Sequence, residues 1–162
     1  MPVGHVFVLR VRLNKRQRSI TITSKEEIIV STQSATINIQ NLRLRTYIGF
    51  NPDEMQKQQD VVINIRIRYQ LNTVVLQDRV EGALNYKTVT KKVIRHVEQG
   101  RFLLLEKLVA DILSISSEHP GVLEATVTVD KPHALRFADS VSLTMDYTTD
   151  AATNIHYLEK AS

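Results

Sequence analysis

Lys131 occupies an unusual place for a lysine. It stands in Val129-Asp130-Lys131-Pro132-His133-Ala134-Leu135, after a run in which Val127 and Val129 alternate with Thr126 and Thr128. That spacing gives Lys131 the parity of the apolar residues. Such a lysine either snorkels at a sheet edge or serves as a base or proton shuttle beside an apolar wall. Pro132 stiffens the turn that follows. Glu106 is similarly placed, within Phe102-Leu103-Leu104-Leu105-Glu106-Lys107-Leu108 and flanked on a helix surface by Leu105 and Val109. It reads as a surface carboxylate at the margin of an apolar stripe. Alternatively it is a buried carboxylate, and a desolvated carboxylate needs a hydrogen-bond-donating ligand. Tyr86 follows Leu84-Asn85, and Glu54 lies in a polar stretch. Taken singly, the first reads as core and the second as a loop acid.

Other chemistries find less support. The histidines (His5, His96, His119, His133, His156) show no His-x-His or His-x3-His spacing, and there is no cysteine, so no metal site is expected. Neither a phosphate-binding glycine loop nor a nucleophile elbow occurs. A net charge of +4 invites a basic RNA-binding module as a competing reading. The charge, however, is local. Residues 1–29 hold six basic and two acidic side chains, whereas the remainder holds fifteen of each. Aromatic residues are only 6%, with no basic–aromatic run of RNA-binding type.

The elements that must position these residues follow from periodicity. Residues 36–48 predict a strand in which Ile37 and Ile39 share one parity and Leu42, Leu44 and Ile48 the other, as a β-bulge would produce. Residues 61–71 alternate most clearly: Val61, Ile63, Ile65, Ile67, Tyr69 and Leu71 against Asn64, Arg66, Arg68 and Gln70. The link from Gly49 to Gln59 is too long for a tight hairpin and is a candidate functional loop. Helices are predicted over 86–98, ended by Gly100, and over 102–117, stopped by His119-Pro120-Gly121. A strand leading into Lys131-Pro132 and another holding Val141, Leu143, Met145 and Tyr147 complete a ββααββ order of α+β type. Its outer strands leave edges that a ring of subunits could pair.

With 162 residues, 43% hydrophobic and 23% charged, the chain reads as one globular domain. No apolar run reaches the ~20 residues of a membrane span. Together with the absence of cysteine, this suggests a cytoplasmic protein. The expected organisation is a basic N-terminal extension over 1–34, a domain over 35–148 and a polar tail over 149–162. Residues 1–29 are expected to be an accidental extension, since Val30-Ser-Thr-Gln looks like a natural start.

Five stretches together resemble the dihydroneopterin aldolase family. They are Leu42-Arg43-Leu44-Arg45-Thr46-Tyr47-Ile48-Gly49; Gln59-Asp60-Val61-Val62-Ile63-Asn64; Ala83-Leu84-Asn85-Tyr86-Lys87-Thr88-Val89; His96-Val97-Glu98-Gln99-Gly100-Arg101-Phe102 continuing into Leu105-Glu106-Lys107-Leu108; and Asp130 to Val141. The resemblance implies a tunnelling fold (T-fold), with an antiparallel sheet, two helices and subunits joined into a β-barrel ring. Two tetrameric rings would stack as an octamer, with sites at subunit interfaces. By the same resemblance Glu106, with Leu105 beside it, clamps the pterin. Lys131 is the catalytic lysine, Tyr86 assists proton transfer from a neighbouring subunit, and Glu54 lies near the substrate side chain. The residues after Lys131 are most similar to the branch that epimerises dihydroneopterin triphosphate at C2′, since aldolases usually carry glycine after the proline. Polyphosphate calls for cations, so His133, Arg136 and Lys87 are candidate triphosphate contacts. The implied substrate is a small pterin, with no cofactor, metal, nucleic acid or membrane. Cleavage, as in folate synthesis, is the alternative outcome of the same chemistry.

Overall fold

The computed structural model describes residues 33–149; the basic segment 1–29 and most of the polar tail lie outside them. Nine elements follow in order: β1 (Ser34–Ile48), α1 (Pro52–Gln56), β2 (Gln59–Gln70), α2 (Thr73–Leu76), α3 (Tyr86–Gln99), β3 (Arg101–Phe102), α4 (Leu105–Ser117), β4 (Val122–Pro132) and β5 (Ser140–Thr148). The strands form one sheet in the order β3-β1-β2-β4-β5. All neighbours are antiparallel except β1 and β3. The helices α3 and α4 cover one face, α3 over β1 and α4 over β4 and β5.

Alternation in β2 dictates the layering. Val61, Ile63, Ile65 and Ile67 are buried beneath the helices with Val127 and Val129 of β4. Full burial stabilises each such side chain by about 1.5–3 kcal/mol. The helices return Val89, Val93 and Val97 from α3 and Leu108, Val109 and Ile112 from α4. The opposite face is polar and satisfied across strands. Arg68 and Glu124 pair through two parallel hydrogen bonds of 2.9 and 2.5 Å. Thr126 donates to Asp146 at 2.6 Å, and the Thr128 and Thr144 hydroxyls lie 2.7 Å apart.

The parity change expected in β1 is present. Ile39 faces Ile65 and Leu42 faces Ile63, so Gln40 and Asn41 stand together opposite Asn64. Asn41 takes a left-handed backbone, φ 54°, and its N–H is held by the Asn64 side chain at 2.9 Å. Asparagine tolerates that conformation better than most residues.

Three expectations need correction. The chain has two short helices, α1 and α2, besides the two long ones. The sheet is not wholly antiparallel, because β3 runs parallel to β1. Phe102 begins no helix. It belongs to β3, pairs with Ile48, and its carbonyl accepts the Gly49 N–H at 2.9 Å. Its ring packs at 5.5 Å from that of His96. A side chain on Gly100 would strike it, since a Cβ there would come within 2.4 Å of the ring. The long helix therefore starts three residues later, at Leu105.

Candidate active site

The ends of β1, β2 and β4 converge on Lys131. Its side chain lies on the helix-covered side and is only 11% exposed; its ammonium donates to Glu54 Oε1 at 2.5 Å. Glu54 comes from α1, in the loop between β1 and β2. Asn51 and Pro52 start this single turn, and the Asn51 N–H donates to Glu54 Oε2 at 3.2 Å. Gly49 lets the carboxylate fold back over the chain. It has φ 126°, and a Cβ there would lie 2.1 Å from the nearer carboxylate oxygen. Gln59 Nε2 donates to the Ile48 carbonyl at 2.5 Å. Arg101 fixes the far end of α1: it donates to the Met55 carbonyl at 3.2 Å and stacks 3.8 Å over the Tyr47 ring.

The hydrogen bond from Lys131 holds the Glu54 carboxyl below the ordinary value of 4.5, against the opposing effect of burial and with help from Asn51. A depressed carboxylate stabilises the fold fully above its unfolded pKa, and that contribution is lost as pH falls through the folded value. Glu54→Gln is therefore expected to be less stable than the parent by about 1 kcal/mol at neutral pH, with the difference closing under acid. Melting both proteins between neutral pH and pH of about 3 checks this. A gap independent of pH would show that the ion pair contributes nothing.

The other expected site residues are not gathered on this protomer. Tyr86 opens α3, after the Asn85 side chain accepts the Thr88 N–H at 3.1 Å, and is 51% exposed. Glu106 lies in the first turn of α4, where the helix dipole favours a carboxylate. It too is exposed, so its burial is not a property of the single chain: no preceding turn exists to cover it. Leu105 is half-buried, and Lys87, His133 and Arg136 are exposed. Among the described residues none of these side chains bonds to Lys131 or Glu54. Sequence reasoning did not single out Arg101, whose signal, a two-residue parallel strand, has no periodicity to find.

A family model described as dihydroneopterin aldolase (FolB) matches residues 37–146. The chain is 51% identical over 114 residues to the dihydroneopterin triphosphate 2′-epimerase of Escherichia coli K12, covering 70% of this chain and 95% of that protein. The chain belongs to the dihydroneopterin aldolase family. Within it, identity to the Escherichia coli K12 dihydroneopterin aldolase is 28% over 111 residues, 67% of this chain and 88% of that one. FolB from Vibrio cholerae O1 superposes with a TM-score of 0.65 at 27% identity, over 71% of this chain and 98% of that chain. The E. coli aldolase solved with neopterin gives a TM-score of 0.64 at 23% identity, over 70% and 98%, which shows the shared T-fold. The loop bearing Glu54, the start of α3 and the end of β4 all fall inside the family match.

Proposed function

We propose that this chain is an isomerase that inverts C2′ of 7,8-dihydroneopterin triphosphate to give dihydromonapterin triphosphate. The observation that carries the reading is the Lys131–Glu54 pair at the end of β4, in a chain 51% identical to an epimerase of that substrate. Lys131 takes the proton of the 2′-hydroxyl, through water. The hydroxyl oxygen becomes a carbonyl, the C1′–C2′ bond breaks, and its electron pair passes into the imine of the dihydropterin ring. The aldehyde fragment turns and C1′ re-adds to its other face. The proton returns to the new 2′-oxygen, so atoms and electrons balance without a cofactor. Seating the side chain between Lys131 and Glu54 would part them and turn the Lys131 side chain toward the 2′-hydroxyl. Tyr86 assists proton transfer, and Glu106, with Leu105, holds the pterin edge through two parallel hydrogen bonds.

Exposure of Tyr86 and Glu106 on the protomer supports sites completed by a neighbour. The outer edges of β1 and β5 support closure of the sheets into a ring: β3 covers only Tyr47 and Ile48 of β1. The assembly proposed is two stacked tetramers in the cytoplasm, serving tetrahydromonapterin synthesis. Of the cations expected to meet the triphosphate, His133 stands two residues after Lys131, whereas Arg136 and Lys87 are exposed side chains elsewhere on the protomer. Release of the aldehyde before re-addition would give aldolase side activity. Incubation with dihydroneopterin triphosphate, followed by chiral analysis of the pterin side chain, is expected to show inversion at C2′. Turnover of dihydroneopterin alone, to 6-hydroxymethyl-7,8-dihydropterin, would make the chain an aldolase instead.

A further inference from the structure

Behind the Lys131 end of β4, on the polar face of the sheet, is an open cavity of about 330 Å³. Arg43, Arg45, Asp60, Val62, Pro132 and His133 line it. The two arginines stand two residues apart on β1, so their stems leave the same face roughly 7 Å apart. Arg45 is committed to Asp60 at 3.2 Å and to the Gln58 carbonyl at 3.1 Å. Arg43 has no hydrogen bond or ion pair among the described residues. Asp60 is the one acid lining the cavity and is already matched, so the remaining charge is positive.

His133 supplies an independent observation. It takes a left-handed backbone, φ 60°, and its N–H donates to the Asp139 carbonyl at 3.3 Å, closing the turn after β4. That conformation suits glycine best, and histidine, like asparagine, enters it more readily than most other residues. No hydrogen bond or ion pair among the described residues uses the imidazole, and His133 lines the cavity together with the arginines. By contrast, the guanidinium of Arg136 lies 5.4 Å over the Phe137 ring and Lys87 is on α3; neither lines this cavity.

We infer that this cavity seats the polyphosphate tail of the substrate, with Arg43 as its forked donor, Arg45 held beside it by Asp60, and His133 at its rim. The inference rests on the proposed epimerase reading. Guanidinium forks suit phosphoryl oxygens, which accept parallel N–H bonds. Pro132 lines the cavity and directly follows Lys131, so a tail attached one carbon beyond the reacting C2′ passes over the strand ends into it. An unphosphorylated side chain ends before reaching it. Choice of substrate is thereby separated from the chemistry at Lys131.

The test uses Arg43→Gln and His133→Gly, the second of which places the residue that this backbone suits best and so should fold. Two quantities are read: calorimetric affinity for inorganic tripolyphosphate, and the ratio of kcat/KM on dihydroneopterin triphosphate to that on dihydroneopterin. In Arg43→Gln both are expected to fall by about thirtyfold, the ratio chiefly through KM. His133→Gly is expected to lower both by about tenfold. Lys92→Gln, a cation on α3 paired with Glu118, controls for charge alone and is expected to change neither. Unchanged ratio and unchanged affinity in Arg43→Gln, with the parent epimerising the triphosphate, would overturn the cavity assignment and leave the epimerase reading standing. A parent that turns over only dihydroneopterin would overturn the epimerase reading, and tripolyphosphate affinity would still report on the cavity.

Discussion

Lys131→Ala is expected to lower kcat by about 10³-fold while leaving pterin affinity within about threefold of the parent. A positioned base contributes 10²–10⁴-fold to a proton transfer. The structure offers no substitute: among the described residues, the one side chain bonded to Lys131 is Glu54, whose carboxylate also accepts the Asn51 N–H. Steady-state kinetics paired with equilibrium binding of a product pterin separate the two quantities. Loss of affinity as large as the loss of turnover would make Lys131 a binding residue, and near-normal turnover would remove it from the mechanism.

Glu106→Ala is expected to act the other way. Removing a carboxylate that meets a planar pair of N–H donors costs 2–5 kcal/mol. That corresponds to a weakening of pterin binding by about 30- to 4,000-fold, with turnover at saturation falling less. Because Glu106 is exposed on the protomer, its removal should leave the melting temperature nearly unchanged. Calorimetry with neopterin and a thermal melt on the same sample check both halves. Unaltered affinity would leave Glu106 as a surface carboxylate at the start of α4.

The sequence resolved different parts of this molecule unequally, for physical reasons. The displaced register of β1 was legible because burial enforces parity, and Ile39 and Leu42 cannot both face the helices without an extra residue between them. The long helices were legible through their apolar stripes. Phe102 misled because it stands three residues before Leu105, the helical interval, while its burial comes from a strand pair and the His96 ring. Lys131 could be singled out by parity, but its partner could not. Glu54 is 77 residues away in a single helical turn, and only the fold brings them together. The cavity behind them was less visible still. Arg43 and Arg45 look like an ordinary wet face until β2 and β4 are laid beside them.

The bulge at Gln40 and Asn41 bears on more than register. Deleting Asn41 would restore an unbroken alternation from Ile37 to Ile48, so the hydrophobic pattern alone does not call for it. What one supernumerary residue adds is local twist and bend. Composition of the core and curvature of the sheet are thus encoded separately in this chain. A β1 shortened by that residue would keep the same core pattern while losing the arc on which the proposed ring depends.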